Sequence, residues 1–185
     1  MKKILMTMVA AFAAVSMNAQ VYVGGELGFT SSKVNGGDSK TSFKILPEIG
    51  YNLDETMSLG IVLGYEQGNA TESFEAYAVN DKAKSFIINP YLRYNVLKAG
   101  NVTFFGDLSV LYKNQDEDRG YKVNTFGVGL KPGIAVALSD KFSFVSHIGF
   151  LGWQQSKADS DGAKASSSIG LDLKNNLTFG LYYNF

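Results

Sequence analysis

The sequence predicts an all-β fold: an up-and-down, eight-stranded antiparallel transmembrane β-barrel behind a cleaved signal peptide. Three observations predict it. The first twenty residues have the basic start, short apolar core and small-residue end of a secretory leader. Beyond them, large apolar residues alternate with small or polar ones, with a period of two, through one segment after another. The connections between those segments alternate in length, as they do in barrels with short turns on one side of a membrane and long loops on the other.

The leader begins Met1, Lys2, Lys3, runs apolar from Ile4 to Val15 and ends Ser16-Met17-Asn18-Ala19-Gln20. Its apolar core is shorter than the about 20 residues a spanning helix needs. Cleavage is expected after Ala19, so that 1–19 is a signal peptide and 20–185 the barrel domain. The chain has no Cys, which excludes disulfides, thiolate chemistry, Cys-ligated metal centres and a lipoprotein anchor. Without Lys2 and Lys3, 15 basic residues stand against 17 acidic ones. A balance near −2 gives no electrostatic reason to expect nucleic acid as a partner. The 13 Phe, 10 Tyr and 20 Gly against only 3 Pro suit strands whose two faces meet different solvents.

Eight strands are expected at 21–30, 42–53, 57–67, 84–97, 102–113, 122–138, 141–154 and 167–185, each holding the about 9–11 residues that cross a bilayer at a tilt. The first two place Glu26, Lys44 and Glu48 on the inner face. In the third, Met57, Leu59, Ile61, Leu63 and Tyr65 share one face, and Ser58, Gly60, Val62, Gly64 and Glu66 the other. The fourth sets Phe86, Ile88, Pro90, Leu92, Tyr94 and Val96 against Asn89, Tyr91, Arg93 and Asn95. The fifth sets Val102, Phe104, Leu108, Val110 and Tyr112 against Thr103, Phe105, Asp107 and Ser109. The sixth sets Phe126 to Leu138 in steps of two against Gly127, Gly129, Lys131, Gly133, Ala135 and Ala137. The bulky faces are too continuous, and the opposite faces too rich in glycine, for a water-facing sheet. Lipid outside and a narrow polar interior account for both. In the seventh strand Phe142 and Phe144 fall on one face and Val145, Leu151 and Trp153 on the other. A bulge near Val145–His147 would reconcile them; without one, His147 points inward together with Trp153. The eighth ends Leu177, Phe179, Leu181, Tyr183, Phe185, all on one face.

Short connections are expected at Leu53-Asp54-Glu55-Thr56, Lys98-Ala99-Gly100-Asn101 and Ser139-Asp140, facing the periplasm. Long polar ones, including Gln67–Ala83, Lys113–Gly120 and Gln154–Ser166, would face outward. Aromatic girdles are expected at the strand ends: Tyr51, Tyr94, Phe104, Phe142 and Tyr183 on the periplasmic side, and Phe29, Phe43, Tyr65, Phe86 and Tyr112 on the outer side.

The stretch Pro90-Tyr91-Leu92-Arg93-Tyr94-Asn95, the segment Gly129–Ala135 and the ending Phe179–Phe185 resemble the outer membrane protein beta-barrel domain family of small OmpA/OmpX-like Gram-negative barrels. The resemblance covers nearly the whole chain after the leader and implies a place in the bacterial outer membrane rather than a chemistry. It also implies that Phe179, Leu181, Tyr183 and Phe185 form an assembly signal for the barrel assembly machinery.

By parity, nine charged residues face the lumen: Glu26, Lys44, Glu48, Glu66, Arg93, Asp107, Lys131, Asp172 and Lys174. Eight strands leave an interior only wide enough for side chains to fill, so these charges should form ion pairs; an ion path is the sharper alternative. His147 is the single histidine. Barrel enzymes that deacylate lipid place His and Ser two apart on one face. Here Ser146 is adjacent to His147 and would point the other way, so catalysis is not expected. Gly60, Gly64, Gly127, Gly129 and Gly133 lie inside strand periodicity and are read as room-makers rather than phosphate loops. Asp116, Glu117 and Asp118 lack the spacing of a calcium loop. The expected function is therefore a non-catalytic outer-membrane barrel, with a structural or surface-interaction role carried by its outer loops. Its surroundings are outer-membrane lipid, with no cofactor, no metal and no nucleic acid, and no motif names an extracellular ligand. The alternatives are a narrow small-solute channel and a lipid-modifying enzyme. A continuous water path along the five glycines would favour the first, and a Ser or acid beside His147 on the lipid side the second.

Overall fold

The computed structural model describes residues 20–33, 39–68, 83–117, 121–160, 162–172 and 178–185; the expected leader, 1–19, lies outside them. Ten strand segments follow in chain order: β1 Val21–Lys33, β2 Ser39–Asn52, β3 Met57–Gln67, β4 Lys84–Ala99, β5 Val102–Glu117, β6 Tyr121–Ala137, β7 Phe142–His147, β8 Phe150–Ala158, β9 Ser166–Asp172 and β10 Thr178–Asn184. Neighbours in sequence pair antiparallel from β1 through β6. β6 then pairs with both β7 and β8, β8 with β9, and β7 with β10. β10 returns to β1, with Tyr22 opposite Asn184 and Leu27 opposite Phe179, and closes the wall. The pairs β7/β8 and β9/β10 are the two halves of the seventh and eighth wall strands, so the sheet is a closed eight-stranded antiparallel barrel. Closure satisfies backbone groups that lipid could not.

Outside and inside follow the alternation. Leu59, Leu63, Leu108, Val110, Leu130 and Leu181 are exposed on the outer wall, whereas Ser58, Gly64, Asp107, Ser109, Gly129 and Tyr182 beside them are buried. Tyr51, Tyr94, Phe104 and Phe142 ring one end, and Tyr65, Phe86 and Tyr112 the other. Tyr183 joins the first ring edge-on to Phe142 and Phe185 (5.2 and 4.9 Å between centroids), and Phe43 lies 6.1 Å from Tyr65 in the second. The side chain of Phe29 lies outside the described part.

The short turns gather at the first of these ends. Asp54 Oδ1 accepts from the backbone N–H of Thr56 and Met57 (2.7 and 2.8 Å) and from Thr56 Oγ1 (2.7 Å), which closes the turn after β2. The same bonds hold its carboxyl below the usual Asp range. The turn after β4 is tighter than expected. β4 continues through Ala99 across a bulge between Asn95 and Leu97, leaving Gly100 and Asn101 as the connection, with Gly100 at φ 62°. That left-handed conformation is what a two-residue hairpin needs and glycine supplies.

The loop expected from Gln154 begins only past Ala158, because Gln154–Ala158 belong to β8, and two further expectations need correction. The bulge in the seventh strand lies at Ile148–Gly149, just past Val145–His147. Gly133 pairs with His147 but Leu130 with Leu151, one residue out of step, and Gly149 has φ 83°. The slip keeps Val145 and His147 inside while turning Leu151 and Trp153 to the lipid, so His147 and Trp153 do not share a face. The segment from Lys113 is not a loop at its start. β5 runs to Glu117, with Lys113 and Gln115 buried inside and Asn114 and Asp116 turned out. Above the girdle the outside is water, so the strand continues without the apolar face that marks it lower down. Asp118 lies outside the described residues.

Candidate functional site

The inward face of every wall strand contributes to one polar interior, and its charges are buried. Glu26, Lys44, Glu48, Glu66, Arg93 and Asp107 are all buried, and Lys131 is half-buried. Lys174 and the side chain of Asp172 lie outside the described part. An isolated charge in such a place is prohibitively costly, and each arrangement answers that cost differently.

Arg93 of β4 is the centre. The register sets it opposite Asp107 of β5, so the two side chains meet as a fork: Nε to Oδ1 and Nη2 to Oδ2, both at 2.8 Å. Such a bidentate pair is the strongest geometry an Arg–carboxylate contact has. Arg93 Nη2 also lies 3.6 Å from Glu48 Oε1 on β2. Around the guanidinium stand four rings, with centroids 4.0 Å (Phe105), 5.1 Å (Tyr91), 5.5 Å (Tyr182) and 5.8 Å (Tyr22) from Cζ, all within cation–π range. Glu48 accepts hydrogen bonds from the hydroxyls of Tyr91 and Tyr182, and Tyr91 shares a 2.5 Å bond with Tyr22.

His147 extends the network across the lumen. Its Nε2 lies 2.8 Å from Asp107 Oδ2 and its Nδ1 2.5 Å from Glu26 Oε1. Its ring meets Phe105 edge-on at 5.2 Å. One chain of contacts therefore runs Glu26, His147, Asp107, Arg93, Glu48, joining β1, β7, β5, β4 and β2. A second pair lies nearer the outer mouth, Lys113 Nζ to Glu66 Oε2 at 3.4 Å. With the Asn89 amide turned so that its nitrogen faces the Val110 carbonyl (3.0 Å), its oxygen accepts from Lys131 Nζ at 3.3 Å.

The rings that surround Arg93 reach the centre by lying across glycines. Directly paired positions are Tyr182 with Gly24, Tyr22 with Gly50, Tyr91 with Gly60, and Phe105 with Gly133. At each of these glycines an added Cβ would overlap the facing ring. Phe150 lies over Gly129 in the same way, Ile87 and Leu46 over Gly64, and Gln154 over Gly127. The five glycines that a water path would have followed are the floors on which large side chains rest.

The result is a septum. A vestibule of about 200 Å3 opens at the end carrying the short turns and stops at Tyr22, Arg93, Phe105 and Tyr182. A smaller cavity of about 40 Å3 lies on the other side, lined by Glu48, Tyr91, Asp107 and His147 among others.

Three features of this interior are not expected from the sequence: the ring of inward Tyr22, Tyr91, Phe105 and Tyr182 around Arg93, the continuation of the buried inner face through Lys113 and Gln115, and His147 as a member of the network. The signal for the rings was available: each stands level with a glycine on the adjoining strand once the hairpins are in register. Ser146, next to His147, is paired with Phe179 and Ile134 on the outward parity, away from the imidazole. Of the expected assembly residues, Phe179, Leu181 and Tyr183 share the lipid face of β10, and Phe185 follows just past its end. The backbone N–H of Phe185 donates to Val21 O at 3.0 Å.

Comparison with known proteins accords with this architecture. The outer membrane protein beta-barrel domain family matches residues 4–185. No curated protein sequence matches the chain significantly. Among solved structures, Neisserial surface protein A (NspA) is similar at 14% identity, covering 91% of this chain and 98% of that one with a TM-score of 0.51. A major outer membrane protein from Thermus thermophilus shares 15% identity over 90% of this chain and 98% of its own, with a TM-score of 0.49. At 14% identity the likeness to NspA speaks for the fold alone.

Proposed function

The chain belongs to the outer membrane protein beta-barrel domain family and resides in the bacterial outer membrane, and from that premise we propose that it is a non-catalytic, non-conducting barrel. Its role is to hold the envelope and to present its outer loops to the surroundings. The observation that carries this reading is the filled lumen. Arg93 is clamped by Asp107, backed by Glu48 and enclosed by four rings, and the glycines are covered by side chains.

That arrangement argues against the solute channel, because a path would have to displace a buried, doubly paired guanidinium together with Tyr22, Tyr91 and Tyr182. It also argues against the lipid-modifying enzyme. Two acids do lie beside His147, but both are inside the barrel, and they occupy both of its ring nitrogens. No nitrogen is left to take a proton from a nucleophile. The face of β10 that carries Phe179, Leu181 and Tyr183, together with Phe185 just past it, is proposed as the surface that the assembly machinery reads.

Planar-bilayer recording of the purified barrel tests the reading. A silent bilayer, with protein insertion verified separately, is the expected result. Stepwise conductance that scales with salt concentration would replace the structural role by the channel.

A further inference from the structure

Arg93 spends only part of its guanidinium on the septum. Nε and Nη2 donate to Asp107, and Nη2 also lies 3.6 Å from Glu48. Nη1 makes no hydrogen bond among the described residues, yet it is not sealed off from solvent. The residue is 6% exposed, and it lines the 200 Å3 vestibule but not the smaller cavity beyond the septum. The two N–H groups of Nη1 therefore open onto the vestibule floor. A guanidinium cannot give up its proton in a protein, so these remain charged donors. They meet whatever enters from the end carrying the short turns, which faces the periplasm in barrels of this topology.

The rest of the lining decides what that is. No carboxylate among the described residues lines the vestibule; Glu48 and Asp107 line the cavity on the far side of the septum. Its other polar groups are the neutral Asn52, Ser58, Asn95, Thr103, Ser143 and Asn184. Some of these hold the wall: Ser58 donates to Asn52 Oδ1, Asn95 to Glu55 O, and Asn184 to Ser143 Oγ. Asn52 Nδ2 and the hydroxyls of Thr103 and Ser143 keep donors with no partner among the described residues. One buried cation with neutral donors around it suits an oxygen that carries negative charge. Asp107 already offsets part of the Arg93 charge, so the floor matches one negative charge and not two. Ala135 and Val145 complete the wall with apolar surface, which suits a carbon substituent and not the all-polar shell of a phosphate.

We propose that the vestibule is a binding site for a small carboxylate. Arg93 Nη1 holds it at the floor, Asn52, Thr103 and Ser143 hold it at the sides, and its carbon substituent rests on Ala135 and Val145. The septum closes the site above, so occupancy needs no conduction and is read independently of it.

The test is an NMR titration of the folded barrel in nanodiscs of deuterated lipid. The reporters are the methyls of Ala135, Val145 and Ala158 and the side-chain Nε of Arg93. Acetate is exchanged for chloride at constant ionic strength. Saturable shifts are expected at Ala135, Val145 and Arg93, while Ala158, buried at the outer end of β8 beyond the septum, stays unmoved. Acetamide has the same shape without the charge, and should half-saturate at a concentration at least about tenfold higher. Ala135→Leu fills the vestibule without touching the ion network, and should abolish the Val145 shifts while heat-dependent electrophoretic mobility shows the barrel folded. Absence of saturable shifts with acetate, equal affinity for acetamide, or Val145 shifts that persist in Ala135→Leu would overturn the proposal. If Ala135→Leu does not fold, the acetate and acetamide titrations of the wild type decide it alone. N-acetylalanine, a peptide C-terminus in miniature, separates the two sources of such a group. Half-saturation below that of acetate assigns the site to peptide ends, and above it to free short acids.

Discussion

Replacing Arg93 with Met tests whether the lumen charges hold the barrel together or merely fill it. The substitution keeps most of the side-chain volume and removes the fork to Asp107 (2.8 Å twice), the 3.6 Å approach to Glu48 and the cation among four rings. Asp107 is then left 3% exposed with His147 as its remaining partner. Glu48 keeps only the hydroxyls of Tyr91 and Tyr182. Removing one partner of a buried pair costs about 3–5 kcal/mol, because the other charge stays buried. With a urea dependence of roughly 1–3 kcal/mol per molar, the unfolding midpoint should fall by at least about 1 M. Arg93→Lys should also lose stability, since a point charge cannot make the fork. Adding Asp107→Leu to Arg93→Met should recover part of the loss, with a coupling of about 0.5–3 kcal/mol. The assay is urea unfolding of the barrel in lipid vesicles, followed by tryptophan emission and by heat-dependent electrophoretic mobility. An Arg93→Met barrel with the wild-type midpoint, or a double variant whose loss is the sum of the singles, would refute the reasoning.

Two further outcomes follow from the packing. Gly50→Ala places a Cβ on the ring of Tyr22 and should cost about 1–3 kcal/mol through overpacking, whereas Gly50→Ala combined with Tyr22→Ala should relieve the clash; equal midpoints for Gly50→Ala and wild type would show that the ring is not held there. Leu108→Lys, on the lipid face at mid-barrel, should cost about 2–4 kcal/mol, and Val96→Lys near the periplasmic girdle no more than about 1 kcal/mol. Equal costs at the two sites in the same vesicles would contradict the assigned depth.

The parts of the fold legible in the sequence are those where one side chain meets one solvent. Leu59, Leu63, Leu108 and Leu130 face lipid and read as such, and so do the lumen charges opposite them. The seventh strand was half-legible. Phe144 and Trp153 could not share the lipid face without a bulge, but its position at Ile148–Gly149 depends on the register against β6, which no local pattern encodes. The outer end of β5 was missed because Lys113 to Glu117 have no apolar partner face to display once the strand leaves the membrane. The septum was hidden for a different reason. Arg93, Asp107, Glu48 and Glu26 sit on four strands, and only closure of the wall brings them together. Parity gave their direction but not their height, and pairing is decided by height. Tyr22, Tyr91 and Tyr182 read as ordinary strand aromatics until the facing glycines are placed level with them.

The central claim is that the inward positions at the level of the septum are closed off from lipid and from bulk water, and a cysteine-free chain lets single thiols test it directly. Along β5, Leu108 and Val110 face out while Ser109 and Leu111 are buried. Single substitutions of these four residues to Cys, in the folded barrel in vesicles, should divide by parity when challenged with a lipid-soluble and a water-soluble thiol reagent. Leu108→Cys and Val110→Cys should react with the lipid-soluble reagent, and Ser109→Cys and Leu111→Cys with neither until the barrel is unfolded. Reaction of Ser109→Cys with the water-soluble reagent in the folded barrel would mean an open, wet lumen and would contradict the account.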